Sequence, residues 1–258
     1  MISGLPRSGT TLLSTILKQN PKFSAGITNP LNEAMANAIK AFSVPGVSTQ
    51  CSEKQRLAIL NGMIDGFYAD EKCDVAFNTS RFWTSYLPLI DLLRPDAKVI
   101  CCVRDIPWIL DSFEKLYIQS PTIYTNAMYG ESPEYPILDD VYRRADLCTK
   151  VIIGRALNSL KQGFFSPFRD KIFIVEYDLL ASNPKETIKQ IYDFIDEPLF
   201  KHNFNDVENS YDEYDLALQS KGLHTIRKKV ELQKRNPIIP PDVWQNYSGM
   251  EFWRHEFT

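Results

Sequence analysis

The chain has 258 residues, 44% hydrophobic and 24% charged. That is the composition of a globular protein long enough to bury a sizeable core, and not of a disordered one. Twenty-nine Lys and Arg against 32 Asp and Glu leave a net charge of −3, which argues against a broadly basic surface that coats nucleic acid. Five cysteines, an odd number without metal-ligand spacing, and three scattered histidines (His202, His224, His255) argue against a zinc or di-iron site. Adjacent Cys101 and Cys102 read as buried thiols of a strand, which fits a reducing, cytoplasmic compartment. No run of about 18 apolar residues marks a membrane span, and no charged and apolar leader marks a signal peptide.

In chain order, Ile2 to Leu5 reads as a short strand. Met1 directly precedes it, so either this strand is only a few residues long or the chain was shortened there. A tight turn at Gly4-Leu5-Pro6-Arg7-Ser8-Gly9 leads to a helix from Thr10 to Gln19, with Leu12, Leu13, Ile16 and Leu17 on one face; Asn20-Pro21 stops it. Helices are expected over Leu31 to Ala41 and from Ser52 to Tyr68, the second opened by a capping serine. Asp74 to Asn78 is a strand, Phe82 to Leu93 a helix, and Ala97 to Val103 the best strand in the chain. Its near-continuous apolar character suits a central parallel strand covered on both faces. Asp105 to Tyr117 is helical, with Pro107 in its first turn. Residues 120–136, rich in Pro and Tyr, read as a loop or lid; Ile137 to Gly163 reads as a long helix, Lys171 to Glu176 as a strand, and Pro184 to Ile195 as a helix. The tail, 199–258, is expected to wrap the rest. Strands alternating with helices predict an α/β protein, a single domain over 1–258 with a central parallel sheet flanked by helices in three layers.

One motif carries chemistry. Gly4-x-x-x-x-Gly9-Thr10-Thr11 lies at a strand-to-helix turn, where glycines let the backbone approach a ligand and the amides of Ser8 to Thr11 open a helix N-terminus toward an anion. This is the shape of a nucleotide-phosphate loop, with one departure: the lysine that serves the terminal phosphates of nucleoside triphosphates is Thr10 here, and the cation is Arg7. Asp105 follows the best strand but stands directly after Arg104, a setting that suits an anion better than Mg²⁺.

At these residues the chain resembles the sulfotransferases that use 3'-phosphoadenosine 5'-phosphosulfate (PAPS), in their bacterial and tyrosylprotein type. Leu5-Pro6-Arg7-Ser8-Gly9-Thr10-Thr11-Leu12 is similar to their phosphosulfate loop. Val103-Arg104-Asp105 with Ser112 is similar to their 3'-phosphate motif. Val175-Glu176-Tyr177-Asp178-Leu179-Leu180 with Asn183-Pro184 matches a further family segment, and Gly222 to Lys229 resembles the basic loop that closes over the nucleotide. The resemblance implies a P-loop-like fold, PAPS as donor and no metal. It implies that Arg7 meets the sulfonate, and that Ser8, Gly9, Thr10 and Thr11 cradle the 5' end. Capping of the helix by Ser8 or Thr10 would use the same donors. Arg104 and Ser112 would hold the 3'-phosphate, with Tyr177 either near the nucleotide or a half-buried core residue. From the basic tail, which also contains Lys221 and Lys229, Arg227 and Lys228 are expected to add charge.

Sulfuryl transfer to a hydroxyl needs a proton acceptor. The position matching the tyrosylprotein enzymes' glutamate is Thr28, and the family lysine falls near Thr79, with Arg81 two residues on. Glu33 is therefore the first candidate base, and also a residue favoured at a helix N-terminus; His224 is the second. The acceptor, a small molecule or peptide, stays open; Phe82, Trp83 and the segment from Tyr124 to Tyr135 are candidate lining. Two other readings stand beside the enzyme: a small-molecule or nucleoside kinase with a variant loop, and a non-catalytic nucleotide-binding protein.

Overall fold

The computed structural model describes residues 1–121, 140–207, 209, 211–218 and 222–255. The segment read as a lid falls almost wholly outside them, as do Lys221 and the run from Tyr124 to Tyr135. Five strands occur among the described residues: β1 (Ile2–Gly4), β2 (Phe23–Ala25), β3 (Val75–Phe77), β4 (Val99–Val103) and β5 (Ile172–Glu176). All pair in parallel. β4 lies between β1 and β5, with Ser3 opposite Cys101 and Cys101 opposite Ile174; β2 pairs with β3. A bridge between Ile2 and Thr79 joins the two groups, with the Ile2 amide donating to Asn78 at 2.8 Å. The strands thus run β2-β3-β1-β4-β5.

The residues of β4 divide between two cores by the alternation of a pleated strand. Val99, Cys101 and Val103 face one; Ile100 and Cys102 face the other; all five are fully buried. The second face is covered by α1 (Thr10–Leu17), through Leu13, Ile16 and Leu17. The first face is covered by α2 (Leu31–Phe42), α3 (Glu53–Phe67), α4 (Leu87–Leu93) and α5 (Ile106–Gln119). Further along the chain, α6 (Val141–Cys148) continues through a π-helical turn at Thr149–Ile153 into α7 (Gly154–Phe164), on the first face. After β5, α8 (Tyr177–Ser182) and α9 (Pro184–Ile195) return to the second. This is the three-layer α/β arrangement that the strand and helix alternation predicts. Burial also pushes the thiol of Cys102 up to about 12, because a thiolate loses its hydration there.

Most expected elements appear, trimmed at their ends. Ser52 caps α3 through a reciprocal capping box with Gln55, and α9 begins at Pro184 as read. The helix expected over Phe82 to Leu93 opens instead with a 3₁₀ turn, Trp83–Ser85, and the long helix after residue 137 is broken by its π turn. Strand β2 and the short helices α8, α10 (Asp212–Ala217) and α11 (Pro241–Asn246) were not read from the sequence. The tail reaches back across the sheet at several points. Gln19 donates to the Asn203 carbonyl at 3.0 Å, Trp244 packs edge-on against Trp108, and Arg254 reaches Asp105 and Glu176.

The ion pair of Arg144 with Glu114 ties α6 to α5. The Arg144 Nε donates to Glu114 at 3.0 Å, both residues are buried, and the guanidinium lies 3.8 Å from the Tyr117 ring centroid. Removing one partner of such a pair strands a buried charge. Glu114→Gln is expected to cost about 3 kcal/mol, read as a lower urea midpoint with an unchanged slope.

Candidate active site

The C-terminal ends of β1, β3 and β4 open onto one cleft of about 750 Å³. This is where open parallel sheets bind ligands. The turn after β1 forms its floor. Gly4 has φ +147°, and a Cβ there would meet the Cys102 carbonyl oxygen at 2.2 Å; Gly9 has φ +91°, and a Cβ would meet Tyr177 at 2.8 Å. Only glycine tolerates both demands. Gly9 leads into α1, whose first-turn amides on Thr10, Thr11 and Leu12 have no acceptor within the helix, and all three residues line the cleft. Ser8 plays a different part from its neighbours. It is fully buried, and its hydroxyl lies 2.6 Å from the Leu5 carbonyl oxygen and 2.9 Å from that of Cys102. Its side chain therefore stitches the turn to β4 and does not line the cleft.

Arg7 is one of two non-glycine residues with positive φ among the described residues, at 59°. Such a conformation costs about 1–3 kcal/mol and persists only where the surroundings impose it. Here the Arg7 Nε donates to the Ser112 hydroxyl at 3.1 Å, and a terminal nitrogen donates to the Leu223 carbonyl. Arg104, at the end of β4, lies 4.1 Å from the Tyr177 ring centroid; its buried Nε has no hydrogen-bond partner. A stacked guanidinium with a spare buried donor fits a bidentate anion.

The tail supplies the opposite wall. Leu223, His224, Arg227, Lys229 and Arg235 line the cleft. Lys229 stands there in place of Lys228, which points away, largely exposed and 3.9 Å from Asp206. Buried Asp111 on α5 accepts from the Ile238 amide at 2.7 Å and pairs with Lys115 at 3.0 Å and Arg235 at 2.6 Å, so one hidden carboxylate aims two cations at the cleft. Among the described residues seven Lys or Arg side chains line it, Arg7, Arg81, Arg104, Lys115, Arg227, Lys229 and Arg235, against one carboxylate, Glu231. In a chain of net charge −3 that concentration marks a polyanion site.

Of the two candidate bases, only His224 is at the cleft. Glu33 sits exposed in the first turn of α2, its carboxylate 3.4 Å from Asn37, away from the cleft lining. His224 Nδ1 lies 2.6 Å from Asp215, whose other oxygen accepts the His224 amide at 2.9 Å. A carboxylate can only accept, so Nδ1 carries the hydrogen and Nε2 is the basic nitrogen. Burial is the main cause that lowers the His224 pKa below its ordinary value. Asp215 opposes it, and Arg7 and Arg81 add to it. Sequence reading missed Asp215, Asp111 and Arg235 as site residues, because no motif links them to their partners. Trp83, read as pocket lining, is instead in the core with Nε1 donating to the Asn78 carbonyl at 3.1 Å; Phe82 does line the cleft.

A strand-turn-helix loop, flanking arginines and an oriented histidine on a parallel sheet together form one cationic cleft of an α/β protein. The chain belongs to the sulfotransferase family, whose model matches residues 1–201. Its fold is similar to that of the sulfotransferase domain from the curacin biosynthetic pathway, at 14% identity and TM-score 0.55, covering 100% of this chain and 97% of that one. It is also similar to sulfotransferase STF9 from Mycobacterium avium, at 13% identity and TM-score 0.54, covering 100% of this chain and 76% of that one. No curated protein matches the sequence. Among the described residues no helix is long and apolar enough to cross a membrane.

With its pKa below 6.5, His224 keeps fewer protons in the folded than in the unfolded chain as pH falls from 6.5 toward the folded value. Stability therefore falls on acidification through that window. Proton NMR of the three histidines is expected to show the His224 resonance titrating below 6.5. Asp215→Asn is expected to lower its midpoint further, since Asp215 holds it up.

Proposed function

We propose that this protein transfers a sulfuryl group from PAPS to a hydroxyl or amine of an acceptor by in-line attack. One observation carries this reading: three anion-binding elements far apart in sequence, the loop after β1, Arg104 with Tyr177, and the basic segment 222–235, converge on a single cleft beside a histidine oriented by a carboxylate.

The donor supplies a sulfuryl group activated by its anhydride link to the 5'-phosphate. The first-turn amides of α1 and the hydroxyls of Thr10 and Thr11 hold the 5' end. Arg104 and Arg227 hold the 3'-phosphate, and the orphaned Nε of Arg104 is the donor that fits it. His224 Nε2 takes the acceptor proton as the acceptor oxygen bonds to sulfur. The bond from sulfur to the 5'-phosphate oxygen breaks, and adenosine 3',5'-bisphosphate departs with the electron pair. Arg7 meets the negative charge that grows on that oxygen, an interaction stronger in the transition state than before it. His224 with Asp215 supplies the proton acceptor that Thr28 lacks, which favours catalysis over nucleotide binding alone.

The kinase reading asks for a lysine where Thr10 stands and for an acid free to hold a cation. Asp105 is instead paired with Arg254 at 2.7 Å, as is Glu176 at 2.6 Å. All five cysteines are free thiols, in keeping with a reducing cytoplasm.

Thermal unfolding with adenosine 3',5'-bisphosphate is expected to show about 2.7 kcal/mol of added stability at 100 times the dissociation constant, and Arg104→Ala is expected to remove most of it. His224→Gln is expected to keep the bisphosphate shift while kcat falls by about 10²–10⁴. A shift with ATP and Mg²⁺ alone would overturn the assignment.

A further inference from the structure

Two strands end side by side at the cleft. In the ladder between β4 and β5 the last pair is Val103 with Glu176. The next residues on the two strands are Arg104 and Tyr177, so both stand beyond the pairing that holds the strands together. Their side chains nevertheless form one unit with the loop after β1. The Arg104 guanidinium lies 4.1 Å from the Tyr177 ring centroid, and a terminal nitrogen reaches the Arg7 carbonyl oxygen at 3.4 Å. Tyr177 in turn packs so closely on Gly9 that a Cβ there would meet its ring at 2.8 Å. A bidentate anion contact needs the plane of the guanidinium fixed.

A second guanidinium spans the two strand ends from behind. Glu176 directly precedes Tyr177, and Asp105 directly follows Arg104. The Arg254 Nε donates to one oxygen of Glu176 at 2.7 Å and a terminal nitrogen to the other at 2.6 Å; that nitrogen also donates to Asp105 at 2.7 Å. Asp105 and Glu176 stand at the N-caps of α5 and α8, and neither side chain caps its helix. An N-cap Asp ordinarily accepts from the first turn; here its carboxylate is given to Arg254. The segment that carries Arg254 is anchored beside it. Phe252 is buried with its ring centroid 5.3 Å from that of Phe164 on α7, and the Trp253 Nε1 donates to Glu176 at 3.3 Å. None of Arg254, Asp105 and Glu176 lines the cleft. The Arg254 side chain is 41% exposed, so its ion pairs add little stability by themselves.

Resting on the sulfotransferase reading, we infer that Arg254 is a positioning residue of the donor site: by bridging Asp105 and Glu176 it fixes the stack of Arg104 on Tyr177, and with it recognition of the 3'-phosphate. It touches neither donor nor acceptor. It also lies beyond residues 1–201, the part of the chain that the family model matches.

Calorimetric titration of the whole chain with adenosine 3',5'-bisphosphate and with adenosine 5'-monophosphate isolates the 3'-phosphate, the one group in which the two differ. The wild-type protein is expected to prefer the bisphosphate by about 10- to 100-fold, the scale of one hydrogen bond to a charged group. Arg254→Gln is expected to cut that preference by about tenfold while affinity for the monophosphate holds. Asp105→Asn, which suits the same N-cap, separates positioning from simple charge. Loss of a nearby negative charge by itself raises affinity for the 3'-phosphate, whereas loss of the bridge lowers it; a lowered preference is expected. An unchanged preference in Arg254→Gln, an equal loss for both nucleotides, or a raised preference in Asp105→Asn overturns the positioning role alone. A wild-type protein that binds neither nucleotide, or both equally, loses the donor reading as well.

Discussion

The turn from β1 into α1 is the constraint on which the site depends. In five residues the chain must leave a central strand, expose its amides to an anion and enter a helix. It does so by placing Gly4 against the β4 backbone, Ser8 inward between two carbonyls and Arg7 in a left-handed conformation. Because Ser8 bonds to Cys102, the turn is registered on the same strand that ends in Arg104. The spacing between the loop after β1 and Arg104 is therefore set by the pairing of two adjacent parallel strands.

Charge is distributed with the same economy. The chain is slightly acidic as a whole, yet its cleft is lined by cations because the acids nearby are turned to other uses. Asp111 is buried beneath Lys115 and Arg235 and aims both; Asp105 and Glu176 are held by Arg254; Asp215 is buried behind His224. Each acid orients a base or cation from behind, so the field inside the cleft stays positive and preorganised for a polyanion.

The last sixty residues finish what the sheet begins. The segment 222–235 lays Leu223 on Arg7, His224 in the cleft and Arg235 on Asp111. The Val207 amide donates to the Lys228 carbonyl and the Val230 amide to the Phe204 carbonyl, each at 2.8 Å, which fixes where this segment crosses. The loop after β1 and the tail thus meet through contacts more than two hundred residues apart in sequence.

The layered α/β arrangement was legible because its signals are local. The apolar run of β4, the helical spacing of Leu13, Ile16 and Leu17, the capping serine of α3 and the glycine turn each follow from a few neighbouring residues. The three-residue strand β2 and the short helices α8, α10 and α11 were not legible, since their stability comes from what they pack against and not from their own periodicity. The site divides along the same line. The sequence by itself determined the glycine turn after β1 and the place of Arg104 at the end of β4, because strand-turn-helix geometry fixes where those groups stand; that Ser112 accepts from Arg7 was decided by packing. Only the tertiary structure decided that Ser8 turns inward, that Glu33 stands apart from the cleft while His224 enters it, that Lys229 lines the wall where Lys228 does not, and that Asp215 and Asp111 stand behind their partners. Those outcomes depend on which distant surfaces the tail buries, and burial between segments far apart in the chain leaves no spacing to read.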